Sequence, residues 1–176
     1  AQLFGDVIDA ARDQSAEILW PLNEQGDRLG VKLENGRVTL PPGWKEAYKA
    51  YSETGWNGLS IEQEHGGQGL PWILNAATQD LFISANVSFL FTPGLTAGAL
   101  GMVKEFGTPE QKKLYLGNMI SGKWSGTMCL TESQAGTAVP DLTTTATPIP
   151  DRDGFFKIRG QKIFISAGDH DLTENI

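Results

Sequence analysis

The sequence predicts an α+β protein: an amino-terminal all-α helical domain over residues 1–122, followed at 123–176 by the beginning of an antiparallel β-domain. Three observations lead there. Apolar residues recur at helical spacing, with cap signals, throughout the segment before Gly122. From Trp124 the period drops to two, the mark of a strand with one buried face. The last strands have no partner sheet within the 176 residues, and open edges are a condition folded proteins avoid, so the β-domain reads as truncated at Ile176.

Taken in order, Leu3, Val7, Ala10, Ala11 and Ile18 share one stripe of a helix running from Leu3 to about Gln25. Gly30, Asn35-Gly36 and Pro41-Pro42 then mark turns. Pro42 suits a first helical turn, and Trp44, Tyr48 and Tyr51 follow at helical spacing in a helix that ends near Gly55. Gly66, Gly67 and Gly69 make Glu62 to Pro71 a loop. Two buried helices are expected next, over Trp72 to Phe89 and Thr96 to Phe106, separated by a turn at Pro93-Gly94. Thr108, Pro109 and Gln111 form a capping box that opens a helix to Ile120, which Gly122 stops. Trp124, Gly126, Met128 and Leu130 alternate with small or polar residues, predicting a strand from Trp124 to Leu130. After the Thr-rich stretch from Asp141 to Thr147, Asp153-Gly154 turns the chain into a strand pair or bulged strand around Gly160.

Composition narrows the function classes. With 21 acidic against 14 basic residues the net charge is −7, a field that repels nucleic acid but leaves a nucleotide cofactor possible at local donors. One cysteine, Cys129, excludes an internal disulfide, and with two histidines it argues against a thiolate zinc site; a buried structural role in a reducing compartment is expected. Residue 1 is Ala, and no basic stretch leads into an apolar run, so no signal peptide is expected. Leu81 to Val103 carries no charge, yet Asn86, Ser88, Thr92, Pro93 and several glycines interrupt it, so buried helices are preferred to a membrane span.

Three segments carry a resemblance. The first is Leu59-Ser60-Ile61-Glu62-Gln63-Glu64-His65-Gly66-Gly67-Gln68-Gly69-Leu70. The second runs from Gly107-Thr108-Pro109-Glu110-Gln111-Lys112 through Tyr115-Leu116 and Ser121-Gly122-Lys123 to Met128-Cys129-Leu130-Thr131-Glu132-Ser133-Gln134-Ala135-Gly136-Thr137. The third is Ile158-Arg159-Gly160-Gln161-Lys162-Ile163-Phe164-Ile165-Ser166-Ala167-Gly168. Together, and in this order, they resemble the acyl-CoA dehydrogenase family. The last residues, Asp169 to Ile176, look closest to the branch that includes 3-methylthiopropanoyl-CoA dehydrogenases.

The resemblance implies FAD as cofactor, an acyl-CoA substrate dehydrogenated at its α,β bond, an electron-transferring flavoprotein as acceptor, and a homo-oligomer in the cytoplasm, or in the mitochondrial matrix of a eukaryote. It places Met128, Leu130 and Thr131 on one flavin strap, Phe164, Ile165 and Ser166 on a second, and Thr137 at the CoA thioester arm. The catalytic base is expected beyond Ile176, in a carboxy-terminal domain, which would leave the 176 residues alone inactive and with little hold on FAD. Two departures, Ser133 for the usual Pro and Ala138 for the usual Asp, predict a less rigid turn and leave open an alternative, a non-catalytic acyl-CoA-binding or interaction module.

Other residues have plainer expectations. Glu132 is expected to be a structural carboxylate accepting backbone N–H groups, rather than an acid catalyst. His65-Gly66-Gly67 is a turn, since no G-x-S-x-G accompanies it. Asp169-His170-Asp171 is expected to be a solvated turn rather than a metal site, and Asn86-Val87-Ser88 a buried segment rather than a glycan acceptor.

Overall fold

A computed structural model describes residues 2–175. It is helix-rich, with a few short strands, and divides into two compact units: Ala1–Thr127 with Ala167–Ile176, and Met128–Ser166. Residues 124–127 and 167–175 therefore pack with the helices rather than with the second unit.

In the helical unit, α1 (Gln2–Gln14), a π-helical turn (Ser15–Leu19) and α2 (Trp20–Leu29) follow one another directly. The predicted stripe is buried only in part. Val7 and Ile8 are half-buried and Ala11 and Leu19 fully so, whereas Leu3 and Ala10 are exposed. Asn35 and Gly36 both take positive φ, the type I′ geometry that matches strand twist, and close a hairpin of β1 (Lys32–Glu34) on β2 (Arg37–Thr39). Then α3 (Trp44–Glu53) starts two residues after Pro42, because Gly43 takes the left-handed conformation before it. Its Trp44, Tyr48 and Tyr51 are buried as their spacing predicts. Trp44 and Tyr51 meet Phe82 and Phe89 edge to face, with centroids 5.2–6.0 Å apart, and form the centre of the core.

The two expected helices are present, but the division between them moves: α4 (Trp72–Phe106) runs unbroken through Pro93-Gly94 and is divided instead at Asn86, whose backbone leaves the helical region at φ −159°, ψ 86°. The reason is tertiary. Buried Asn86 accepts the Phe89 N–H through Oδ1 at 3.0 Å, as a helix cap, and donates through Nδ2 to the Leu19 carbonyl at 3.3 Å. Pro93 lies within the second half, where its missing N–H costs one ladder bond without ending the helix. By length and composition α4 could cross a bilayer. Within the unit it buries Leu74, Phe82, Phe89, Leu90 and Leu100.

The capping box is present as predicted: Gln111 N–H donates to Thr108 Oγ1, and Thr108 N–H to Gln111 Oε1, at the start of α5 (Pro109–Ile120). Gly122 follows at φ +71°, with Ser52 Oγ 2.1 Å from where a Cβ would stand, so both conformation and space require glycine. The expected strand to Leu130 shortens to β3 (Trp124–Ser125), since among the described residues its partner is only the parallel β6 (Glu174–Asn175). Without a covering sheet, Cys129 is exposed rather than buried. In the second unit, β4 (Thr145–Pro148) and β5 (Phe156–Arg159) pair antiparallel; Ile163 and Ile165 lie beyond the strand in irregular backbone.

Candidate cofactor site

All the residues predicted to contact a cofactor or substrate lie within Met128–Ser166. The two straps meet: Ile163 N–H donates to the Thr131 carbonyl at 2.9 Å, which sets Phe164 a few residues along from the end of the first strap. Lys162 reinforces the junction by donating to the Leu130 carbonyl at 2.9 Å. Thr131 and Met128 are half-buried, as is Ile165, while Ser166 and Thr137 are exposed. Among the described residues the Thr131 hydroxyl makes no hydrogen bond of its own, so it can donate to a ligand.

Phe164 is the most unusual residue of this set. Its φ is +59°, in the left-handed region that a bulky side chain rarely enters, and its ring is 80% exposed. Strain of this kind persists where the surroundings enforce it and is characteristic of ligand sites. The ring, with Leu130 at 46% exposure, offers apolar surface without an intramolecular partner large enough to cover it. These residues fit a flat aromatic ligand: apolar surface beside hydroxyl and amide donors.

Glu132 holds the junction together. Its carboxylate is 3% exposed. One oxygen accepts from Thr143 N–H (2.8 Å), Thr143 Oγ1 (2.7 Å) and Gln134 Nε2 (2.7 Å). The other accepts from Thr144 N–H (2.9 Å) and Lys162 Nζ (2.8 Å). Lys162 foremost, with the threonine donors, holds this carboxyl far below the usual carboxylate range. The expectation of a structural carboxylate is met, and the turn after it is tight: Glu132 and Ala135 exchange both backbone hydrogen bonds, at 2.9 and 3.1 Å, with Ser133 between them. Gly160 makes the same junction possible, because a Cβ there would stand 2.0 Å from Thr144 Oγ1.

Comparison with known proteins places the fold. The model of the acyl-CoA dehydrogenase amino-terminal domain matches residues 9–123. The chain belongs to the acyl-CoA dehydrogenase family. It is 48% identical over 160 residues to 3-methylmercaptopropionyl-CoA dehydrogenase of Ruegeria pomeroyi, a match covering 91% of this chain and 27% of that protein. Butyryl-CoA dehydrogenase from Megasphaera elsdenii superposes with a TM-score of 0.75 at 24% identity, covering 94% of this chain and 41% of that one. An acyl-CoA dehydrogenase from Bacillus anthracis, solved in complex with FAD, gives 0.70 at 24% identity, covering 94% and 26%. The chain thus spans about 27–30% of the length of four curated relatives it matches.

Two features of this family member escaped the sequence reading. Lys162 carries no role in the sequence reading; its place between Gln161 and Ile163, in a stretch otherwise lacking long charged side chains to Gly168, is the signal that could have found it. Asp169-His170-Asp171 is not a solvated turn. His170 is 8% exposed and Asp171 accepts the Leu40 N–H at 3.0 Å, burial that depends on partners far away in sequence. Among the described residues no group of three or more His, Cys, Asp or Glu is placed to hold a metal ion.

Proposed function

We propose that this chain supplies the helical domain (1–122) and the start of the central β-domain (123–176) of an FAD-dependent acyl-CoA dehydrogenase. The observation that carries the reading is the bond from Ile163 N–H to the Thr131 carbonyl, which joins the two straps into one wall. Leu130 and Phe164 would face the isoalloxazine with apolar surface, helped by Met128 and Ile165. Thr131 and Ser166 would bring hydroxyls to its polar edge, where fixed donors stabilise charge without reorganising. Thr137, exposed beside the tight turn, would contact the CoA thioester arm. When bound, FAD supplies the hydride acceptor for α,β-dehydrogenation of the thioester. The base that removes the α-proton would come from sequence beyond Ile176, so the 176 residues alone would be inactive and hold FAD weakly.

The relatives' names support an acyl-CoA substrate; an electron-transferring flavoprotein as acceptor, and a homo-oligomer in the cytoplasm or in the mitochondrial matrix of a eukaryote, complete the proposal. A non-catalytic module gains little support here, because the Ser133 turn is firmly closed and not loose. The test is anaerobic addition of acyl-CoA thioesters, propanoyl and butanoyl among them, to the full-length protein. Its yellow colour should bleach. A full-length protein that binds the thioester while its flavin stays oxidised would overturn the catalytic reading.

A further inference from the structure

The segment from Ala167 to Asn175 belongs to the helical unit and is fastened there by polar contacts the proposed chemistry does not use. Asp171 Oδ1 accepts the Leu40 N–H, and Thr173 Oγ1 lies 3.0 Å from the Gly122 carbonyl and 2.6 Å from that of Lys123. Leu172 is buried in the main core, and β6 pairs with β3. At the centre is His170. Its Nδ1 accepts the Leu172 N–H at 3.3 Å, so that nitrogen carries no proton. The proton of the neutral ring is then on Nε2, directed at Ser125 Oγ, 2.9 Å away and fully buried on β3.

We propose that residues 167–175 form a pH-operated latch with His170 as its catch: the neutral imidazole fastens the segment to the helical unit, and protonation releases it. A proton on Nδ1 would turn an acceptor into a donor facing the Leu172 N–H, so that the bond is lost and two N–H groups oppose each other. Among the described residues no carboxylate bonds the ring to compensate. Asp171 is engaged by Leu40, and Asp169 is exposed.

Charges around the segment act in both directions. Burial holds the ring below its ordinary 6.5, outweighing its sequence neighbours Asp169 and Asp171, which favour protonation. From β3 the ring meets uncharged Ser125. The groove along Leu172 and Thr173 carries Lys45, Lys49 and Lys123 against Glu46 and Glu53. Because the ring binds protons less readily closed than open, the latch is fully closed above the open-state value. It loosens as pH falls from about 6.5 towards the lower closed-state value, with an opening constant that rises at most about tenfold per pH unit.

The test is an NMR pH titration of the whole chain, reading the tautomer of each ring and the exchange protection of amides 172–174. The chain has two histidines, so His65 serves as the internal reference. Above neutral pH His170 should carry its proton on Nε2. Below about pH 6.5 amides 172–174 should lose protection while α5 keeps it, and His170→Gln, which can still donate to Ser125 but does not titrate, should remove that pH step. A proton on Nδ1 above neutral pH, protection that ignores pH, or an unchanged step in the Gln variant would each overturn the latch. Should the variant fail to fold, the wild-type tautomer and protection profile decide alone.

Discussion

The two units are held together by different physics. In the helical unit Trp44, Tyr51, Trp56, Phe82 and Phe89 interlock edge to face in a largely apolar core that also holds the hydrogen-bonded Gln14 and Asn86. In Met128–Ser166 the buried residues are Glu132 and Ala135, and the large apolar side chains Leu130, Phe155, Phe156, Ile158 and Phe164 face outward. One unit is organised by removing hydrocarbon from water, the other by converging five donors on a carboxylate. The difference teaches that a hydrogen-bonded carboxylate can fix a backbone without a hydrophobic core, since the large apolar side chains of the second unit lie exposed.

The largest effect should come from removing the knot. Glu132→Ala leaves the Thr143 and Thr144 amides without their acceptor and Lys162 without its carboxylate, and hydrogen exchange should show protection lost throughout 128–166 while the helical unit melts as before. Retained protection would mean that the strand pair holds the unit without Glu132. Next, Phe89→Ala should lower the stability of the helical unit by about 3–5 kcal/mol, read from the denaturant midpoint, because it leaves a cavity between Trp44 and Tyr51.

Acid and alkali separate the units further. The Glu132 carboxyl titrates lower in the folded unit than its ordinary 4.5, so its contribution is complete above that value and lost as pH falls below it, disordering 128–166 in acid. Burial pushes the Tyr51 hydroxyl up to about 12, so the helical unit keeps its full contribution below the ordinary 10.0 and loses it as pH rises towards 12. Circular dichroism of the aromatic bands against exchange at 128–166 distinguishes the two transitions. The smallest change should be Thr108→Ala, costing about 1 kcal/mol of thermal stability through the lost cap at α5 and leaving 128–166 untouched.

How far the sequence could be read follows the same division. The α5 cap, the Asn35-Gly36 hairpin and the Trp44-Tyr48-Tyr51 stripe are local, so their causes lie within a few residues of their effects. Asn86 breaks α4 because Leu19, distant in the chain, offers a carbonyl, and no local pattern announces that. The alternation from Trp124 to Leu130 was real, but a strand also needs a neighbour, and β6 supplies one only for its first two residues. At the candidate site, the strap residues were named through family resemblance, and Glu132 was given its structural role from turn chemistry. Lys162 and His170 were missed because each acquires its meaning from a partner thirty or more positions away.

The most direct test of the flavin wall is the structure of the full-length protein crystallised with FAD. The isoalloxazine should lie against Leu130 and Phe164 with the Thr131 hydroxyl within hydrogen-bond distance of its polar edge. A flavin bound elsewhere, with Phe164 covered by protein alone, would contradict the assignment.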